Sequence, residues 1–250
     1  DEYARSVCLI FGAFGFRAVP SDGKPGELLK STDGRPFRAE YFGSAFLADA
    51  AGHIVTNRHV ATPWWGDETS DRIREQGFEP EFFELLACFP GKTPVAIDPA
   101  SLRVRNDDAD IAVLRVDVKD VPVPPLFDGG VRGLRGGHMV VLGYATGVNA
   151  LLAKPDAVVV KDLMARVKSR AELLTELAAR NAVWPVPTQG ALNDVLEKQL
   201  IYDAGTAAGG SGGPVFGGEG TVIGVNFAIL TGFAGSNFGV PIGLARELLK

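Results

Sequence analysis

Several function classes lose their marker side chains in this sequence. Its 250 residues contain 2 cysteines, so no disulfide framework carries the fold, and Cys8 and Cys88 are too few and too far apart for a zinc site. Both lie in apolar strand-like runs, which fits buried free thiols, with a disulfide as the alternative. The 3 histidines, His53, His59 and His138, lack metal-ligand spacing, so no metal is expected and no cofactor is implied. Net charge is −5 and the lysines and arginines are scattered, which argues against nucleic acid or an anionic membrane as a partner. The longest apolar stretch, Val7 to Phe16, is too short to span a bilayer and is interrupted by Gly12 and Gly15. Asp1-Glu2-Tyr3-Ala4-Arg5 offers no basic n-region or cleavage site, so any targeting segment is expected to lie outside these residues or to have been removed.

What is present is a rhythm of short apolar runs and turn signals, in a chain long enough for an all-β double barrel. Strands are predicted at Val7 to Phe16, Tyr41 to Leu47, His53 to Thr56, Glu84 to Phe89, Leu102 to Arg105 and Ile111 to Val116. Further strands are predicted at Met139 to Gly143, Ala157 to Val160, Thr221 to Phe227 and Asn237 to Val240. Asp49-Ala50-Ala51-Gly52 reads as the hairpin turn before His53, which is expected to be a solvent-facing turn residue. His138, after Gly136-Gly137, reads as structural.

Two stretches break the rhythm. Pro63 to Pro80 is polar, carries Trp64-Trp65 and contains a helical candidate around Ser70 to Gln76 ended by Gly77. In Lys161 to Asn181, Leu163, Val167, Leu174 and Leu177 approach a helical stripe, and Ser169 with Glu172 fits a capping box that restarts the helix. Asn193 to Leu200 is a second helical candidate after the break at Pro185 and Pro187. This segment reads either as a solvated excursion or as a regulatory, substrate-gating element. A closing helix is expected over Gly243 to Lys250, where Leu244, Leu248 and Leu249 share one face.

Chemistry concentrates in three places. Ser211 sits inside Gly209-Gly210-Ser211-Gly212-Gly213-Pro214, far downstream of Thr56-Asn57-Arg58-His59-Val60, with Asp110-Ile111-Ala112-Val113-Leu114 between them. A serine flanked by glycines can hold its hydroxyl in a tight turn where backbone N–H groups approach a substrate carbonyl. The same glycines satisfy the nucleophile elbow of α/β-hydrolases, whose triad partners follow the serine, but no histidine or aspartate follows Ser211. An order of Asp, His, Ser is formally available with Asp33 or Asp49, but the chain lacks the alternating strand and helix pattern of the subtilisin-type α/β fold. The order His, Asp, Ser survives. His59 is then the base that activates Ser211.

These motifs, with Val222-Ile223-Gly224-Val225-Asn226-Phe227-Ala228-Ile229 and Phe238-Gly239-Val240-Pro241, resemble a trypsin-fold serine protease of the HtrA (Deg) type. The resemblance implies an all-β, chymotrypsin/trypsin-like double β-barrel with helical insertions and a C-terminal helix. It puts the N-terminal barrel at about 1–120, the C-terminal barrel at about 121–242 with its helical insertion at about 161–200, and the C-terminal helix at about 243–250. It implies a triad of His59, Asp110 and Ser211. Asp107 and Asp108 are rival carboxylates in a polar turn, while Asp110 enters the Ile111 to Leu114 strand and matches the family pattern. The oxyanion hole would come from the Gly209 and Ser211 N–H groups with Gly210 between them. Most HtrA proteases have asparagine where Gly210 stands. Exposed glycines around the serine would make the loop cheap to deform, so that the hole forms only with substrate, unless glycine is simply tolerated there.

For specificity, the resemblance places Gly205 at the pocket base with Thr206 beside it, and Ala228 and Ile229 on the strand that pairs with substrate. No carboxylate awaits lysine or arginine, which favours small or medium aliphatic residues before the cleaved bond. Phe227 departs from the family's usual threonine, and its ring could shield Asp110 from water. The implied activity is hydrolysis of unfolded or flexible polypeptide through an acyl-enzyme, in protein quality control, in an extracytoplasmic or periplasmic compartment. A catalytically silent, chaperone-like peptide-binding module on the same fold is the rival reading. The resemblance leaves room for a homo-oligomer and for an additional domain or membrane anchor outside these residues. A peptide-binding PDZ domain often follows the closing helix in this family and is absent here, so the sequence reads as a protease domain of a longer chain or as a relative without the appendage.

Overall fold

The computed structural model describes residues 2–20, 26–153, 156–229 and 236–250, with the side chains of Ala228 and Ile229 outside that description. Twelve described strands close into two antiparallel barrels with the same connectivity: β1-β2-β3-β6-β5-β4, and β7-β8-β9-β12-β11-β10 read in the matching direction. This is the chymotrypsin-like double β-barrel, and closure removes sheet edges. The first barrel uses β1 (Val7–Ala18), β2 (Ala39–Leu47), β3 (His53–Thr56), β4 (Phe78–Cys88), β5 (Val95–Val104) and β6 (Ala112–Val116). The second uses β7 (His138–Gly143), β8 (Val186–Val195), β9 (Leu200–Tyr202), β10 (Pro214–Gly217), β11 (Val222–Ile229) and β12 (Asn237–Pro241).

Strand β1 shows why an unbroken apolar run is needed here. Cys8 and Ile10 face the interior of the first barrel, while Val7, Leu9, Phe11 and Ala13 face a second core. That second core also holds Phe216, Val225 and Val240 of the second barrel, so both faces of β1 are buried and neither tolerates polar alternation. Cys88 lies opposite Leu9 and shares its core, whereas Cys8 points to the other face. The two thiols are therefore free, not bridged. Burial pushes the Cys88 thiol up to about 12 and the Cys8 thiol well up too, which keeps both protonated.

Several sequence expectations change. His53 is the first residue of β3 and is half-buried against Asp49, so it is not a solvent-facing turn residue. Ala157 to Val160, expected as a strand, begins helix α4 (Ala157–Arg166), because the Asp156 carboxylate caps it by accepting from the Val158 N–H. Asn193 to Leu200, expected as a helix, is the end of β8, a tight turn and the start of β9. The helical insertion is thus α3 (Val148–Leu152), α4 and α5 (Arg170–Ala179), and stops well before 200.

Ser169 does restart the helix: its Oγ accepts from the Glu172 N–H at 3.1 Å. The Glu172 carboxylate reaches the Lys168 N–H instead of closing the reciprocal box on Ser169. Val148, Leu151, Leu163, Leu173, Leu174 and Leu177 are buried in the core shared with both barrels. The insertion is anchored in this core through α3 and α5, while α4 buries only Leu163 and leaves Val158, Val159 and Met164 exposed. Helix α2 (Glu68–Glu75) forms as expected in the smaller insertion, capped by Asp67 and followed by Gly77 at φ +85. The closing helix α6 (Ile242–Leu248) packs on β6 of the first barrel and on β11 and β12 of the second, and Arg103 Nη1 donates to the Leu248 carbonyl at 3.0 Å. No described helix is long and apolar enough to cross a membrane.

Candidate active site

Antiparallel pairing of β3 with β6 puts Thr56 opposite Ala112, so the residues just after β3 meet those just before β6. Asn57 stands at the N-cap position of the one-turn helix α1 (Arg58–Ala61) without a side-chain cap bond, and the second residue of the helix is His59. The His59 backbone N–H donates to Asp110 Oδ1 at 2.9 Å and its ring Nδ1–H to Oδ2 at 2.6 Å. This two-point grip selects the tautomer with Nε2 bare and facing outward as an acceptor. Asn57 Nδ2 also donates to the Asp110 carbonyl at 2.8 Å, fastening helix to strand. The buried Asn57 Oδ1 has no partner among the described residues.

Neither rival carboxylate reaches His59. Asp107 is paired with Arg105 at 3.0 Å and with Lys198 at 3.2 Å, and the Arg105 guanidinium holds it well below the usual carboxylate range. Asp108 is exposed, with Lys198 3.5 Å away. Asp49 is taken by His53.

The serine loop enters from the second barrel, ahead of β10. Its carbonyls from Ala207 to Ser211 are all held. Ala207 accepts from the Gly210 N–H, Ala208 from the Thr146 N–H at 2.6 Å, and Ser211 from the Ser44 N–H at 2.8 Å. The Gly209 carbonyl accepts from Ser44 Oγ at 2.7 Å, and the Gly210 carbonyl from Asn226 Nδ2 at 2.7 Å and from the Gly213 N–H at 3.1 Å. Among the described residues the N–H groups of Gly209 and Ser211 donate to nothing. In a trans peptide the C=O and the following N–H point to opposite sides. Fixing the Ala208 and Gly210 carbonyls therefore also fixes the direction of the Gly209 and Ser211 N–H groups.

The loop is not the loose, exposed turn its glycines suggest, since Gly210 and Gly212 are buried. Gly212 sits at φ +90, and a Cβ there would lie 1.9 Å from the Ser44 carbonyl oxygen. No other residue fits that approach between barrels.

Of the predicted residues, His59 and Asp110 are bonded to each other. Ser211 Oγ donates to the Phe227 carbonyl at 2.9 Å, and among the described residues it makes no hydrogen bond to His59. Thr206 Oγ1 accepts from Asn226 Nδ2 at 2.9 Å, and Gly205 lies exposed beside it with open space where a side chain would be. The Phe227 ring packs against the shared core. The backbones of Ala228 and Ile229 pair with Phe238 and Asn237 in β11, while their side chains lie outside the described residues. His138 is exposed at the start of β7 and lines a cavity of about 950 Å³ with Tyr3, Trp184 and Phe216, which contains none of the predicted site residues.

Sequence reasoning missed Ser44, Thr146 and Asn226. Ser44 Oγ also accepts from the Tyr144 N–H at 2.9 Å, so one hydroxyl of the first barrel joins the residue just after β7 to the serine loop. A serine in the apolar run Phe42 to Leu47 and an asparagine in Val222 to Ile229 were the available signals, because a buried polar group needs a partner.

The profile of the trypsin-like peptidase domain family matches residues 43–225. A probable periplasmic serine endoprotease DegP-like of Pseudomonas fluorescens is 29% identical over 218 residues, covering 86% of this chain and 35% of that relative. Its counterpart from Hahella chejuensis is 28% identical over 245 residues, covering 92% of this chain and 41% of the relative. The chain thus spans little more than a third of the length of the curated relatives it matches. Among solved structures, the HtrA-type protease AlgW with decapeptide superposes with a TM-score of 0.59 at 20% identity, over 99% of this chain and 64% of that one. The serine endoprotease from Yersinia pestis gives 0.58 at 16% identity, over 99% and 62%. At these identities the structural likeness speaks to the fold.

Proposed function

This chain belongs to the trypsin-like peptidase domain family, and on that premise we propose that it is a serine endopeptidase of the HtrA type acting through Ser211, His59 and Asp110. His59 Nε2 takes the Ser211 proton as the hydroxyl attacks the peptide carbonyl, Asp110 stabilises the imidazolium, and the resulting acyl-enzyme is released by water. The Gly209 and Ser211 N–H groups bind the oxyanion; removing one such donor costs about a hundred- to a thousand-fold in turnover. The observation that carries this reading is the serine loop with every carbonyl from Ala207 to Ser211 engaged while these two N–H groups stay without a partner among the described residues.

Substrates are unfolded or flexible polypeptides, with small or medium aliphatic residues preferred before the cleaved bond. Supporting this, Gly205 and Thr206 bring no charge to the pocket, and an apolar pocket discriminates by about 1–3 kcal/mol per methylene. An extracytoplasmic site of action accords with the periplasmic designation of the DegP-like relatives. The helical insertion has a route to the site, because Thr146, two residues before α3, holds the Ala208 carbonyl.

One observation favours the silent peptide-binding alternative: the Ser211 hydroxyl rests on the Phe227 carbonyl. Attack on a substrate requires that hydroxyl to donate to His59 Nε2 instead. Labelling by an organophosphonate separates the readings. The endopeptidase is modified at Ser211 and the His59→Ala variant is not; a protein that stays unlabelled while still binding unfolded polypeptide is the silent module.

A further inference from the structure

We propose that Asn226 is the positioning residue of the oxyanion hole, its buried side chain aiming the Ser211 N–H by gripping the Gly210 carbonyl. The proposal rests on the endopeptidase reading and adds to it a residue outside the triad and the hole. Asn226 is 1% exposed. Its backbone N–H donates to the Gly213 carbonyl at 2.8 Å, and its own carbonyl accepts from the Gly212 N–H at 2.8 Å. The side chain completes the hold from the other side of the serine. Nδ2 donates at 2.7 Å to the Gly210 carbonyl and at 2.9 Å to Thr206 Oγ1, while Oδ1 lies 2.5 Å from the Tyr202 hydroxyl. A carbonyl oxygen can only accept, so the nitrogen, not the oxygen, must face Gly210, and this settles which way the amide points.

Every polar atom of Asn226 is therefore spent on the serine loop or on Tyr202. The Tyr202 hydroxyl, itself buried, is also 2.9 Å from the Phe238 carbonyl, which ties the arrangement to β12. Burial raises its pKa, so it remains a neutral donor.

The glycine at 210 is the counterpart of this side chain. A Cβ built there would lie 2.7 Å from Thr206 Oγ1, 3.0 Å from the Ala207 carbonyl oxygen and 3.4 Å from Asn226 Nδ2. A side chain at 210 would therefore crowd Thr206 Oγ1 and the Ala207 carbonyl, with Asn226 Nδ2 next in line. The carbonyl is held from β11 by the shorter bond, 2.7 Å from Asn226 Nδ2, and within the loop by the Gly213 N–H at 3.1 Å, while the residue itself contributes only backbone. Because the peptide joining Gly210 to Ser211 is planar and trans, a carbonyl fixed on Asn226 leaves the Ser211 N–H fixed on the opposite side.

The test measures peptide hydrolysis for the wild type, Ser211→Ala, Asn226→Ala and Tyr202→Phe, with active sites counted by organophosphonate titration and folding followed by circular dichroism. Asn226→Ala is expected to lower kcat per titrated site about a hundred-fold with KM within about twofold, as loss of an aimed oxyanion donor should. A merely structural residue would instead reduce the number of titratable sites and leave kcat per site unchanged, and that result overturns the proposal. Tyr202→Phe keeps the ring and removes only the hydroxyl facing Oδ1, so it provides the folded variant should Asn226→Ala not fold. It is expected to lower kcat several-fold at unchanged KM, and wild-type kcat in folded Tyr202→Phe likewise overturns the assignment. If the wild type shows no turnover or labelling that depends on Ser211, the endopeptidase reading fails and the assignment of Asn226 falls with it. Normal wild-type turnover with an unchanged Asn226→Ala removes the assignment alone.

Discussion

The Asp49–His53 pair and the Asp110–His59 pair are bonded in the same way. In each, one carboxylate oxygen accepts the histidine backbone N–H, at 3.1 Å and 2.9 Å, and the other accepts the ring Nδ1–H at 2.6 Å. Their surroundings are inverted. At the hairpin the carboxylate is 34% exposed and the ring 17%; at the site the ring is 39% exposed and the carboxylate 8%. A general base needs its imidazole open to the reacting proton and its carboxylate shielded, where the charge pair is not weakened by water. The hairpin pair has neither property. Asp49 also accepts from the Ala51 N–H at 2.9 Å, so this carboxylate staples a turn. The comparison teaches that the aspartate–histidine hydrogen bond is cheap to build locally, and that what distinguishes the site is burial of the acid and a second barrel bringing Ser211 and its loop.

The largest effects should fall on one pair only. His59→Ala and Ser211→Ala are each expected to lower peptide hydrolysis by about a million-fold, and the double variant should lose no more than either single one. His53→Ala should stay within about twofold of wild type in the same casein or peptide assay. Equal losses at His53 and His59 would erase the distinction, and a double variant many orders slower than the singles would show that His59 and Ser211 do not act as a unit.

A smaller effect tests the inter-barrel half of the contrast. Ser44 has no counterpart beside His53: its hydroxyl accepts from the buried Tyr144 N–H and donates to the Gly209 carbonyl. Ser44→Ala leaves both without that partner, at about 1–3 kcal/mol for the buried Tyr144 N–H and less for the half-buried Gly209 carbonyl. Thermal unfolding should occur several degrees lower. Activity should fall about ten-fold, since the carbonyl side of the serine loop is released. Unchanged melting and activity would mean that water or a shifted backbone takes over both bonds.

The proposed triad residues were readable in the sequence because reactive side chains are written there directly: chain order removed the α/β-hydrolase arrangement, the missing strand–helix alternation removed the subtilisin order, and strand position with the family pattern selected Asp110. Their supports were not. Ser44, Thr146 and Asn226 act on backbone carbonyls of residues that, for Ser44, lie 165 positions away in the case of Gly209. In the fold, β1, β7 and β11 were legible because apolar residues fill them, whereas β8 reads Val-Pro-Thr-Gln-Gly-Ala-Leu-Asn-Asp-Val and is held by pairing with β7 and β9. Its polar, proline-bearing sequence hides a barrel strand, so a helix was expected across its end. Val158, Val159 and Val160 mislead in the opposite sense: β-branched residues suggest a strand, but Val158 and Val159 are exposed and the Asp156 cap starts a helix. Asp49 bonding to His53 was also invisible, since turn position predicts exposure but not a local partner four residues on.

The smallest effect belongs to that turn, and its pH dependence sharpens the comparison. Burial alone would raise the Asp49 pKa, but the hydrogen bonds from the His53 ring and backbone outweigh it and leave the carboxyl below its ordinary value. A carboxylate depressed by folding contributes stability that is fully present above its unfolded pKa and is lost as pH falls through its folded pKa. Asp49→Asn should therefore destabilise the protein at neutral pH by less than about 1 kcal/mol, because the partly exposed pair is screened by solvent. The difference from wild type should shrink as pH is lowered through the carboxylate range, and peptide hydrolysis at neutral pH should not change. Denaturant unfolding at a series of pH values, run beside the peptide assay, measures both. A gap that widens toward acid would reverse the sign assigned to Asp49, and a loss of activity would mean that the hairpin pair contributes to the site after all.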